Sequence, residues 1–263
     1  MQQSNRYIIT FILVMCVLVG GLLAGASIVL GPAQQRSIEL DTKSQIMGAV
    51  RSLVDIPEGA DILGIYKERI TSIVVNYAGE EVTQGADGKP VVAEDVNIAA
   101  HYALEPQERL YPVFRLIDEN DTSKVEAYIL PVYGNGLWDK IWGYVALDAT
   151  LETIVGTSFD HKAETPGLGQ RIGTYEIQDR FIGKEIFDEN GKLVSVAMMK
   201  GEHGGGQASI DYYKDEPHKV DGLSGATLTA NGVNKMLKSY LLGYRNYFKK
   251  LKASNTQTTA AVK

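Results

Sequence analysis

The sequence predicts an α+β protein: one N-terminal transmembrane helix, then an extracytoplasmic domain of antiparallel strands that ends in a long helix. Three observations predict it. Residues 7–30, YIITFILVMCVLVGGLLAGASIVL, carry no charge. Downstream, short runs rich in β-branched and aromatic residues are separated by turn residues. Near the end, an apolar stripe recurs at helical spacing. The strand runs outnumber the helical ones and do not alternate cleanly with them, which makes the class α+β.

The first run is long enough, at about 1.5 Å per residue, to cross a hydrocarbon core of ~30 Å. Arg6 precedes it and Gly31-Pro32 is expected to end it. Ala24-Gly25-Ala26 looks like a signal-peptide cleavage site, but the apolar stretch before it exceeds the usual roughly 7–15 residues, so the reading is an uncleaved anchor. Either reading sends residues 33–263 across the membrane. Charges on the two sides (Arg6 against Arg36, Lys43 and Arg51) orient it weakly.

The spacing of Ile38, Leu40, Ile46, Val50 and Leu53 predicts a helix over 34–54, read as a stalk. Strands are expected at 70–77, 111–117, 125–132 and 141–147, the second and third forming a hairpin around 118–123. The stretch 78–90, with Asp87-Gly88 as a turn, reads as a hairpin tip or loop. A further hairpin is expected from 185–187 and 192–199 around Asp188-Glu-Asn-Gly191. Val233, Met236, Leu237, Tyr240, Leu241, Tyr244, Tyr247, Phe248 and Leu251 predict a final helix whose stripe is core. The expected organisation is an anchor (1–33), a stalk with an accessory α/β segment (34–100), a ligand-binding domain (101–252) and a disordered tail (253–263).

Composition excludes some functions. The net charge is −6, with no basic stretch long enough for a nucleic-acid footprint. A single cysteine, Cys16 within the apolar run, excludes an internal disulfide and a cysteine-ligated metal site. His203, His218 and Asp221 lack a ligand-like spacing, so no metal site is expected. Gly201-Glu-His-Gly-Gly-Gly206 is glycine-rich but lacks the Lys-Ser or Lys-Thr of a P-loop. Gly222-Leu-Ser224-Gly-Ala226 looks like a nucleophile elbow, but no histidine follows it, as a hydrolase order requires.

The chemistry-bearing run is Asp221-Gly-Leu-Ser-Gly-Ala-Thr227-Leu-Thr229. Small residues permit tight turning, and hydroxyls at Ser224, Thr227 and Thr229 offer donors and an attachment point. A helix starting near Ala230 or Asn231 would aim free N–H groups at this loop, suiting a phosphate. The same features describe an ordinary N-capped helix after a glycine turn.

The run DGLSGAT resembles the recognition motif of proteins that a flavin transferase modifies. The resemblance implies Thr227 as the attachment point, with Asp221, Ser224, Gly225 and Ala226 as its motif. Glu164-Thr165-Pro166-Gly167-Leu168-Gly169 resembles the ETPGLG signature of the same FMN-binding domain family, in which the segment lies against the flavin. Tyr133-Gly-Asn-Gly-Leu-Trp138-Asp-Lys-Ile-Trp142 is similar to a strand pair of the C-subunit family of sodium-translocating NADH:quinone oxidoreductases. The G-subunit family of Rnf-type ferredoxin:NAD complexes shares both flavin motifs and is typically shorter. A membrane-anchored assembly module without cofactor is the remaining alternative.

What the C-subunit resemblance implies is a translocase subunit with no catalytic residue and no turnover of its own. It would carry FMN covalently through a phosphoester to Thr227 and pass electrons toward ubiquinone. The flavin's surroundings would include Thr229, Glu164, Thr165, Gly167, Leu168, Trp138 and Lys200. Partners would be the other membrane subunits and, for maturation, the flavin transferase. The location would be the bacterial inner membrane, single-pass, with the bulk of the chain on the periplasmic side. His161-Lys162-Ala163 departs from the family's spacing.

Overall fold

The computed structural model describes residues 4–57, 59–85 and 88–261, with side chains to Ser254. Two compact units divide at Lys43/Ser44. The first consists of helix α1, Asn5–Gly48, whose final turn falls in the second unit. From Tyr7 to Leu30 its large apolar side chains are exposed, and the stretch is long and apolar enough to cross a membrane. Pro32 lies inside this helix instead of ending it. A proline forfeits one hydrogen bond and does not always break a long helix.

In the second unit, α2 (Ile62–Arg69) leads directly into β1 (Ile70–Val75). The short helix α3 (Ile98–Tyr102) follows, and Asn97 caps it through its side chain. Then come β2 (Tyr111–Ile117), β3 (Val125–Asn135), β4 (Lys140–Asp148) and β5 (Ile154–His161). These strands form one antiparallel meander in the order β1-β2-β3-β4-β5. β1, from the segment expected to be accessory, therefore belongs to the same sheet as the rest. The expected strand 70–77 ends at Val75, and in the loop after it Gln84 bridges Pro90. Of the expected Asp87-Gly88 turn, Asp87 lies outside the described residues.

Both faces of the sheet are covered, so its central strands are apolar on both sides. One face carries Val113, Leu130, Val132, Val145 and Leu147 against the C-terminal helix. The other carries Phe114, Leu116, Ile129 and Ala146 against Ile46, Met47, Val50 and Val54. Ile46 and Val50 thus belong to a core layer and not to a stalk, since burying such a side chain is worth about 1.5–3 kcal/mol.

After β5, a 3₁₀ turn (Gly169–Gly173) and the short helix α4 (Tyr175–Gln178) pack back on that strand. β6 (Ala197–Met198), α5 (Gly206–Tyr212) and β7 (Lys219–Val220) follow. The expected hairpin around 188–191 keeps its turn, with Asp188 accepting from the N–H groups of Asn190 and Lys192. Its arms share one bridge, Phe187 with Leu193. Ser195, at φ 68°, then turns the second arm away, and β6 pairs in parallel with β7. The last helix, α6 (Thr227–Ala261), presents the expected apolar stripe to the sheet. It continues through most of the segment 253–263 expected to be a disordered tail. Residues 262 and 263 lie outside the described ones.

Candidate functional site

The DGLSGAT run joins β7 to α6. The helix begins at Thr227 itself, earlier than the expected Ala230, because the Ala226 carbonyl already accepts the first helical bond from Ala230 N at 3.0 Å. Thr227 is half-buried, and its hydroxyl therefore stands at a helix N-terminus, where an attached phosphate group is favoured. Before it, Gly225 turns at φ +73°, a left-handed conformation that suits glycine. A Cβ there would also come within 2.9 Å of Leu168. The two motif loops therefore touch at Leu168 and Gly225.

A buried carboxylate locks that meeting. Glu164 is 4% exposed. One oxygen accepts from Trp138 N at 3.0 Å and the other from the Thr229 hydroxyl. The tie joins the β3–β4 turn, the ETPGLG loop and the first turn of α6. Gly169 makes room for it, since a Cβ there would lie 2.5 Å from the Glu164 carboxylate and 2.6 Å from Thr229. Glu164 and Thr229, expected beside the flavin, thus direct their polar atoms at each other. His161 accepts from Glu164 N at 3.3 Å.

The exposed groups of the two motif loops, of the β3–β4 turn and of Leu228 are of another kind. Trp138 is 66% exposed, with its indole N–H donating to Thr165 Oγ1 at 3.0 Å. Leu168 and Leu228 also face solvent, as do Thr165, Gly167, Ser224 and Gly225. Ala226 is buried. Lys200 is exposed at the bend after β6, and among the described residues no bond ties it to the loop.

Beneath the loop lies a network with no signature in the sequence. Arg180, fully buried, donates through Nη1 to Gly222 O at 2.6 Å and through Nη2 to Glu202 at 2.7 Å. Arg171 grips the same carboxylate with both Nη atoms at 2.8 and 2.7 Å. Glu202 also accepts from Ser224 N at 3.1 Å. The Arg171 guanidinium foremost, with Arg180 and Ser224 N–H, outweighs burial and holds the Glu202 carboxyl down at about 2. Asp221 is likewise buried. Burial would raise its carboxyl, but hydrogen bonds from His203 and Ser209 prevail and lower it.

Glu202 makes stability pH-dependent with a definite sign. An unfolded chain protonates this residue near its ordinary value of 4.5, whereas the folded chain resists until about 2. The contribution is full above 4.5 and disappears as pH falls through that window. In urea melts, the stability gap between wild type and Glu202→Gln should be wide at neutral pH and shrink toward its lower limit. A gap independent of pH would refute the tie.

A membrane-anchored domain with two glycine loops gathered at a helix N-terminus, and a half-exposed threonine as that helix's first residue, has the build of an FMN-binding domain. Residues 136–242 match the FMN-binding domain family. The chain is 33% identical to the C subunit of the Na(+)-translocating NADH-quinone reductase of Neisseria meningitidis serogroup A, over 90% of each chain. It is 29% identical to the corresponding C subunit of Pseudomonas aeruginosa, over 91% of this chain and 92% of that one. The crystal structure of the C subunit from Parabacteroides distasonis superposes with a TM-score of 0.64 at 32% identity, covering 83% of this chain and 96% of that one. The Shewanella oneidensis NqrC structure gives 0.63 at 25% identity, covering 81% and 99%. This chain belongs to the C-subunit family of the Na(+)-translocating NADH-quinone reductase.

Proposed function

We propose that the chain is the electron-carrying subunit of a Na⁺-translocating NADH:quinone oxidoreductase, with FMN esterified to Thr227. The observation that carries this is the position of Thr227 as the first residue of α6, half-exposed at the end of the motif loop that Leu168 and Glu164 of the other loop meet at Gly225 and Thr229. The residues fit the group. The helix N-terminus suits the phosphate, and exposed Trp138, Leu168 and Leu228 offer apolar surface to a flat ring. Thr165, Gly167, Ser224 and Gly225 complete the rim.

Attachment is a group transfer in which the Thr227 oxygen bonds to the FMN phosphorus of FAD. The pyrophosphate bond breaks, AMP leaves, and the hydroxyl proton is lost. A flavin transferase catalyses it. Once attached, FMN supplies one-electron chemistry between redox centres, on the way to ubiquinone. This chain's residues position it and shield it from water. The other membrane subunits carry NADH oxidation and ion export. The anchor crosses the bacterial inner membrane once, with the domain on the periplasmic side.

Intact mass of the full-length chain, coexpressed with a flavin transferase and exported, tests the reading. The expected gain is one FMN less one water, absent from Thr227→Ala. No gain with an active transferase would leave a cofactor-free anchoring module as the better description.

A further inference from the structure

We propose that the glycine-rich run Gly201–Gly206 with α5 is a clasp for the attachment loop, and that His203 is a positioning residue for flavin transfer to Thr227, acting through Asp221. This rests on the covalent reading of Thr227.

Asp221 opens the motif, yet it is 0% exposed. An enzyme approaching the folded chain does not reach its carboxylate. The carboxylate is filled from within the domain. One oxygen accepts from His203 N at 2.6 Å and from the Ser209 hydroxyl at 2.7 Å. The other meets His203 Nδ1 at 2.8 Å and the N–H of Gly222 at 3.1 Å. With Asp221 ionised, Nδ1 must carry the proton and donate. The imidazole is held in plane by Tyr212, with ring centroids 3.7 Å apart and planes 6° from parallel. Ser209, 1% exposed, accepts from Gly205 N and donates its own proton to Asp221.

The neighbouring residue completes the clasp. Glu202 accepts from Ser224 N, so consecutive residues 202 and 203 hold both ends of the segment 221–224. The acid of the motif therefore works inward. It presents Thr227 by fixing the turn that precedes it, and His203 sets that acid's orientation.

A loop that is correctly placed only part of the time binds its enzyme more weakly by that fraction. The expected result with the purified full-length chain, FAD and transferase is a raised KM with kcat nearly kept. Losing a hydrogen bond to a buried carboxylate should lower kcat/KM by ~10-fold for His203→Ala, with Ser209→Ala in the same direction. His203→Asn, whose amide N–H can replace Nδ1–H, should recover much of it. Asp221→Asn combined with His203→Ala should be no worse than Asp221→Asn alone. Hydrogen exchange of amides 222–227 in the unflavinylated chain should also quicken in His203→Ala, whether or not the wild type accepts FMN. That arm separates failure of the clasp from failure of the covalent reading. A His203→Ala chain that melts like wild type, is loaded at the wild-type rate and shows unchanged exchange would overturn the proposal. It would mean that Asp221 holds the turn without the His203 ring.

Discussion

Arg180→Met should cost about 3–5 kcal/mol of folding stability, the usual result of breaking a buried ion pair from one side. A domain of this kind is stable by only ~5–15 kcal/mol, so the variant should melt far below wild type. The side chain is fully buried, and three of its neighbours depend on it. Glu202 would keep Arg171 but lose its second guanidinium. Gly222 O would lose its 2.6 Å donor, and Glu176 one of its two guanidinium donors at 3.2 Å. Pairing Arg180→Met with Glu202→Leu separates charge from packing. Replacing both members of a buried pair with apolar groups is often nearly neutral, so the double variant should recover much of the loss. Urea melts of the four proteins check this. If the double variant is as unstable as the sum of the singles, the pair is not what holds this part of the domain.

The strands are legible in the sequence where both faces are buried, because an unbroken apolar run leaves few alternatives. β2 has the expected bounds, 111–117, and β3 and β4 each extend beyond theirs. β5 offers no such run. Its middle, Gly156-Thr157-Ser158, is small and polar, and Thr157 is buried only because its hydroxyl donates to Gln178 O. Such a partner lies too far along the chain for any local pattern to reveal. The parallel pair β6–β7 is hidden for a similar reason, since two-residue strands have no periodicity. In the site, the two motif runs are legible as sequence. Which way their side chains point is not. The family resemblance marks Glu164 and Thr229 as ligand-capable, and only the fold shows them bonded to each other. Arg180 carries no signal at all, being a lone arginine between Asp179 and Phe181. His203 draws notice in the sequence inside a glycine-rich run and, with His218 and Asp221, as ligands whose spacing fits no metal site. Its partner is a carboxylate that the spacing could not place.

Glu164→Ala should be the second severe change, and its companion variants decide what Glu164 does. The alanine leaves Trp138 N–H and the buried Thr229 hydroxyl without their acceptor. The unsatisfied buried Thr229 hydroxyl costs about 1–3 kcal/mol and the part-buried Trp138 N–H less, so a loss of ~2–4 kcal/mol is expected. Glu164→Gln keeps a carbonyl oxygen for Trp138 N, while its amide N–H can donate to Thr229, whose hydroxyl rotates to accept. It should therefore melt near wild type. It should also take up FMN to the same extent and hold it at the same midpoint potential. Thr229→Val, which removes one donor from a buried carboxylate, should fall between the two in stability. If Glu164 instead touched the flavin, removing its charge would shift the midpoint potential while leaving the fold intact. Chemical melts of the three variants, with redox titration of the loaded Glu164→Gln protein, distinguish these outcomes. Stability that tracks the tie together with an unmoved potential would make Glu164 the fastener of the two loops. A moved potential with unchanged stability would return it to the flavin's surroundings.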